Sequence, residues 1–333
     1  MLKNRWVQLA LSLLVSAGFI WYAVRGVDFA RVGALLKTAN YLYVLPTLVA
    51  YTLFQFVRVW RFRYLAAPVA EMSFPALFRI GNIGMMAIAL LPVRLGEFVR
   101  PYLMKREFNV SLTASLGPVA AERVIDGLVV TLGFFAVTQS GLAIPPEMRH
   151  AGLLALLVFV SAAFVLGLVL IGHETGANFL RRVIAVVSPR LADRVVTLVT
   201  SFAHGLSALK RPRVLLIYLF WTLLFWGLSG MSNWTLFGTM GIELPVIAGH
   251  LLTALMVIAL MLPSGPGFVG PIQAAIVWGL SLFGIDKETA FAFSILLHVS
   301  SFSVTIGFGL YSLLSAHISI STLVKESQQE AVS

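Results

Sequence analysis

The chain has 333 residues, of which 59% are hydrophobic and 11% charged, with 24 Lys and Arg against 14 Asp and Glu and no cysteine. A soluble domain keeps about 25% charged residues to hydrate its surface, so this composition excludes a water-soluble globule and requires lipid as solvent. The net charge of +10 then reads as topogenic, marking loops beside anionic headgroups rather than a nucleic-acid surface. The missing thiols exclude disulfides, thiolate metal sites and cysteine nucleophiles.

Eight apolar segments follow in order: Trp6–Val24, Tyr41–Val57, Phe74–Leu91, Ser115–Thr138, Ala151–Ile171, Val214–Leu236, Val246–Phe283 and Ala290–Leu314. The first follows Lys3 and Arg5 but is too long for a signal-peptide core and lacks an Ala-x-Ala cleavage site, so it is predicted to be a retained span. The seventh is too long for one crossing and is broken by Pro263-Ser264-Gly265-Pro266-Gly267. It reads as two half-helices around an irregular turn.

The basic loops are those with Arg58, Arg61 and Arg63, then Arg94, Arg100, Lys105 and Arg106, then Arg181 through Arg213. Placing all of them on the cytoplasmic side requires the third segment to be a re-entrant hairpin, and the seventh does the same from the other face. Six full spans result, with both termini inside; Arg25, Arg31 and Lys37 fall outside, against the charge rule. Phe179, Leu180 and Ile184 repeat at helical spacing opposite Arg181 and Arg182, which predicts an amphipathic interfacial stretch over 176–210. The expected fold is therefore an all-α polytopic membrane bundle. A single domain over 1–320, with halves 1–172 and 214–320 and an inverted repeat, would end in a disordered tail at 321–333.

Two interruptions carry the chemistry. Leu91-Pro92-Val93-Arg94-Leu95-Gly96 ends one apolar run, and Leu262-Pro263 with its glycines breaks another in the opposite half. Paired broken helices point to a transporter's central site, because backbone groups freed in the membrane need a polar partner; two unrelated kinks are the alternative. Arg94, Glu97 and Arg100 recur every three residues, near Tyr102, and two guanidiniums around a carboxylate suit a phosphate. An interfacial charge girdle is the plainer reading of those three alone. Glu122, Arg123 and Asp126 lie near the start of a span, where charges are costly unless paired or facing a polar cavity. An ion pair of Arg123 with Glu122 or Asp126 is one reading, and a cavity shared with Arg94, Glu97, Arg100 and Arg79 is the other. His250 and His298 are isolated and read as helix–helix hydrogen-bond partners, not metal ligands. There is no P-loop motif for ATP.

The ordered set Pro92-x-Arg94-x-Gly96-Glu97-x-x-Arg100, Glu122-Arg123-x-x-Asp126 and Leu262-Pro263 through Gly270 resembles the flippase-like family, also called the lysylphosphatidylglycerol synthase transmembrane-region family. That family includes the N-terminal flippase domain of the multiple peptide resistance factor. The resemblance implies a prokaryotic inner-membrane protein that moves or holds a phospholipid or polyprenyl-phosphate lipid. It implies a headgroup path lined by Arg94, Gly96, Glu97, Arg100, Glu122, Arg123 and Asp126, and by Pro263, Gly265, Gly267, Gly270 and Gln273. Gln273 stands where the family usually has Glu, and the 333 residues include no stretch expected to form the soluble aminoacyl-transfer domain. The expectation is a lipid translocase without cofactor, with headgroup transfer, or lipid presentation to a partner enzyme, as rivals. Its partners would be membrane lipid and either a further copy of itself or a lipid-modifying enzyme.

Overall fold

A computed structural model describes residues 2–91, 96–139, 144–185, 188–262 and 264–316. Pro92, Arg94, Pro263 and the tail at 321–333 lie outside the described residues. Those residues form helices without strands: α1 (Leu2–Val24), α2 (Phe29–Thr38), α3 (Val44–Ala66), α4 (Phe74–Leu90), α5 (Val99–Phe108) and α6 (Leu112–Thr138), followed by α7 (Pro146–Ala185), α8 (Pro189–Gly205), α9 (Pro212–Phe237), α10 (Val246–Ala259), α11 (Pro271–Ser281) and α12 (Lys287–Ser315).

Each expected apolar segment becomes a helix or a helix pair. Four stretches are long and apolar enough to cross a bilayer by themselves: Tyr41–Ala66, Pro146–Gly172, Pro212–Met240 and Lys287–Ser315. α6 has 27 residues, or about 40 Å at 1.5 Å per residue, and is set apart from those four by Glu122, Arg123 and Asp126. α1 has 23 residues and bends by 79° into α2. α7 shows why lipid is needed: Phe164 is 67% exposed and Ile171 85% exposed, an apolar surface that water would not tolerate.

α4 and α5 form the first hairpin. Arg79 pairs with Glu107 at its open end, and a Cβ on Gly84 would touch the Arg100 side chain. Gly96 lies against the backbone of Ala87 and Ile88, a contact that only a residue without a side chain permits. The chain thus turns back on itself without crossing. α10 and α11 form the second hairpin, with Gly279 of α11 against Leu252 and Leu255. Its turn leans on the middle of α1: the Gly265 N–H donates to Ser16 Oγ at 2.8 Å, and Gly270 (φ 104°) passes close to the Ser16 carbonyl. Because Ser16 is well inside a 23-residue helix, this turn lies at membrane depth.

Contacts between loops fix which ends share a face. The Asn40 N–H donates to the Thr239 carbonyl at 2.8 Å, and Lys287 Nζ donates to the carbonyls of Tyr22 and Arg25 at 3.0 and 2.6 Å. On the opposite face, His204 Nε2 meets the Pro68 carbonyl at 3.0 Å. Among the described residues, these contacts place the ends at Val24, Asn40, Thr239 and Lys287 on one face and those at Pro68 and His204 on the other, and the two hairpins open toward opposite faces. Four helices, or five if the bent α1–α2 pair is one span, are long and apolar enough to cross, against the six expected.

Two expectations need correction. Arg58, Arg61 and Arg63 are not a loop, because α3 runs on to Ala66; nothing between Val57 and Pro68 breaks a helix. The segment from 176 does not start a separate interfacial helix either. It continues α7 to Ala185, and α8 then folds back beside it, with Arg181 and Asp193 3.2 Å apart.

Candidate functional site

α3, α5 and α6 converge on a buried ion cluster. Glu122 and Asp126 are four residues apart on α6 and so project from one face. Between them lies Arg61 of α3, which has no exposed surface. Its Nη1 and Nη2 donate to Asp126 Oδ1 and Oδ2 at 2.5 and 2.7 Å, and Nη2 also donates to Glu122 Oε1 at 3.2 Å. Nη1 further donates to Thr222 Oγ1 at 3.1 Å, and the guanidinium lies 4.0 Å from the Phe225 ring centre. Arg100 Nη1 donates to the other Glu122 oxygen, while its guanidinium lies 4.2 Å from the Phe62 ring centre. Trp226 Nε1 donates to Asp126 at 3.1 Å.

Buried charges survive only when paired and hydrogen-bonded. Here the planar fork of Arg61 satisfies one carboxylate bidentately and bridges to the next. The carboxylates therefore pair with Arg61 and Arg100, rather than with Arg123 as one sequence reading had it. Arg79, bound to Glu107, is outside the cluster.

The cluster forms one wall of a cavity of about 500 Å³, within the size range of small-molecule sites. Glu97, Arg100, Glu122, Arg123 and Asp126 line it, joined by Arg58 and Arg61. Its other walls are largely aromatic and aliphatic, including Phe54, Met256, Phe268 and Phe302. A second space of about 320 Å³ between Leu116, Phe202 and Phe98 shares Glu97 and Arg123 with the first. These two side chains thus border both.

Arg58 differs from its neighbours. It is buried in the cavity wall, and its Nη2 has no hydrogen-bond partner. Nε of Arg61 and Nε of Arg123 are also unpartnered. Buried donors of this kind are costly in isolation and fit an anionic ligand.

The residues of the second turn are placed differently. Phe268 and Ile272 reach the cavity, but Gly265, Gly267, Gly270 and Gln273 do not line it. Gly267 (φ 75°) and Gly270 shape the turn. Gln273 Oε1 accepts from the Gly270 N–H at 2.7 Å, and its amide nitrogen meets His298 Nδ1 at 3.1 Å, so Gln273 ties the turn to α12. Gly96 likewise sits in the first hairpin's packing rather than in the wall. Sequence reasoning missed Arg58 and Arg61, although Tyr51, Gln55, Arg58, Arg61/Phe62 and Leu65 recur at helical spacing without a breaker, the signal that α3 continues.

Comparison with known proteins supplies the family. The pattern described as "Lysylphosphatidylglycerol synthase TM region" matches residues 9–309. The chain belongs to this family. Within the lysylphosphatidylglycerol synthase transmembrane-region family, the chain is similar to the UPF0104 membrane protein of Methanocaldococcus jannaschii, with 24% identity over 249 residues, 73% of this chain and 97% of that relative. It is also similar to the glycosyltransferase AglD of Haloferax volcanii, with 26% identity over 278 residues, 72% of this chain and 43% of that protein. No solved structure matches the chain. Membership of this family identifies a multi-pass membrane protein with a function related to membrane lipid.

Proposed function

We propose that this protein binds an anionic, polar-headed lipid in the charged cavity and moves its headgroup across the bilayer. One observation carries the reading: guanidinium donors without partners, Arg58 foremost, lie in the wall of a membrane-embedded space whose lining is otherwise largely apolar. A phosphate would satisfy those donors, and acyl or prenyl tails would remain in lipid. Half-helices from opposite faces meet this space, an arrangement suited to alternating access. The smaller space at Glu97 and Arg123 offers a lateral way in from one leaflet. The face where α12 ends also bears Arg63, Lys105, Arg106, Lys210, Arg211 and Arg213, which supports a cytoplasmic orientation for that face; a prokaryotic inner membrane is the location that goes with this reading.

The test is leaflet exchange of fluorescent phospholipids and polyprenyl phosphates in liposomes. Exchange is expected with the wild type and is expected to fall at least about tenfold in Arg58→Met and Arg123→Ala, each of which removes charge-assisted bonds to phosphate. A folded wild type that exchanges no lipid overturns the proposal. The glycosyltransferase relative favours a second reading, transfer of a headgroup or presentation of lipid to a transferase. Product formation on adding a sugar donor would replace translocation with transfer.

A further inference from the structure

The cavity has a second polar region away from the ion cluster, and it is uncharged. Along α3, Tyr51, Gln55 and Arg58 face the cavity in succession, spanning about 10 Å at 1.5 Å per residue. Gln55 is 1% exposed, and its Nε2 donates to Thr305 Oγ1 at 3.2 Å, but its Oε1 has no partner. One turn away, Arg58 Nη2 is unpartnered too. One helix of the cavity wall therefore holds a buried, orphaned cationic donor and a buried, orphaned neutral acceptor one turn apart. Tyr51, Ser229 and Thr253 continue the neutral polar lining beyond Gln55. Their hydroxyl oxygens retain acceptor capacity, even though those of Tyr51 and Thr253 already engage Asn233.

The carboxylates point the same way. Glu122 is held by Arg61 and Arg100, and Asp126 by Arg61 and Trp226; Glu97 is not without a partner either. A cationic headgroup in this low-dielectric space would need a carboxylate of its own, and would meet an excess of arginines instead. A hydroxyl donating to Gln55 Oε1 meets neither obstacle.

We infer that the lipid is a phosphodiester with an uncharged, hydroxylated headgroup, its phosphate at Arg58 and a headgroup hydroxyl at Gln55. Glycerol and sugar headgroups share this chemistry; aminoacylated ones do not. This inference rests on the proposed function and narrows its substrate.

The experiment is competition against a fluorescent anionic lipid bound to the purified full-length chain. The competitors are phosphatidylglycerol, a glucosyl polyprenyl phosphate, phosphatidic acid and lysyl-phosphatidylglycerol. At least one of the two hydroxylated lipids should compete about tenfold better than both phosphatidic acid and lysyl-phosphatidylglycerol, the scale of one unpaired buried polar group. Which of the two it is identifies the source. Gln55→Leu should abolish the preference over phosphatidic acid without weakening phosphatidic acid itself. Gln55→Glu should shift preference toward the lysyl lipid. Equal competition by all four, or a lysyl preference in the wild type, overturns the inference while leaving anionic lipid binding intact. Failure of every lipid to bind the folded protein overturns the proposed function as well. The wild-type comparison needs no variant to fold.

Discussion

Arg61 and Arg58 are one helical turn apart on α3 and serve opposite ends. Arg61 is spent internally: it holds two carboxylates and a threonine hydroxyl. Replacing it with Met strands Glu122 and Asp126 in a buried site. Loss of one partner from such a network typically costs 3–5 kcal/mol, so Arg61→Met should lower the melting temperature sharply or prevent folding in detergent. Arg58 makes no ion pair in the cluster, so Arg58→Met should leave the melting temperature within a few degrees of wild type while abolishing lipid exchange. Comparable destabilisation in both variants would show that Arg58 is part of the scaffold. The sequence marked Glu122, Asp126 and Arg100 as charges that a bilayer should exclude, and the structure brings them together. It could not mark Arg61, because a cationic residue at the end of an apolar run looks like a loop until its carboxylate partners, more than sixty residues away, are placed beside it.

At the scale of elements, the α1–α2 corner is fastened to the start of α12 by side chains. Asp286 caps α12 through Thr289, whose N–H and hydroxyl donate to it at 3.1 and 2.8 Å, and Arg31 of α2 reaches it at 3.2 Å. Partial burial pushes the Asp286 carboxyl up, but Thr289 and Arg31 outweigh burial and hold it below the usual carboxylate value. Because the folded value lies below the unfolded one, this stabilisation is complete above about pH 4 and is lost as pH falls through the folded value. Asp286→Asn keeps the cap acceptor and removes only the charge. In melts across pH 3 to 7, it should lie below wild type at neutral pH by less than about 1 kcal/mol, as befits an exposed pair, and converge with it at the acidic end. A constant gap would assign the effect to capping alone. The existence of both hairpins was legible from Pro92 and from the Pro263–Gly270 turn. The docking of Gly265 and Gly270 on Ser16 was not, since nothing in the local sequence says which distant helix receives a turn.

At the scale of the molecule, charge alone predicted six crossings and two hairpins, including the awkward placement of Arg25, Arg31 and Lys37; the structure describes the two hairpins, and four or five helices long and apolar enough to cross. The structure shows how Arg31 is accommodated, next to Asp286 and Glu288 on one face. Absolute sidedness can be read directly because the chain has no native cysteine. Lys210→Cys should react with a membrane-impermeant maleimide only after the cytoplasmic face is opened, and Glu243→Cys should react in intact cells. The reverse pattern would invert the orientation.

The first hairpin rests heavily on the last helix: Met86 of α4 packs against Gly309 of α12, and Leu313 joins the same core as Ile80 and Ile83. During synthesis, α4 must therefore wait roughly 200 residues, or tens of seconds at 5–20 residues per second, for the last of the surfaces that bury it. A chain that stops before Lys287 keeps the packing of α4 on Val59 and Phe62 of α3 and on Val99 and Leu103 of α5, but lacks the α12 wall that Ser301, Phe302 and Thr305 give the arginine-lined cavity. Completion of α12 is thus what closes both the first hairpin's packing and the cavity wall.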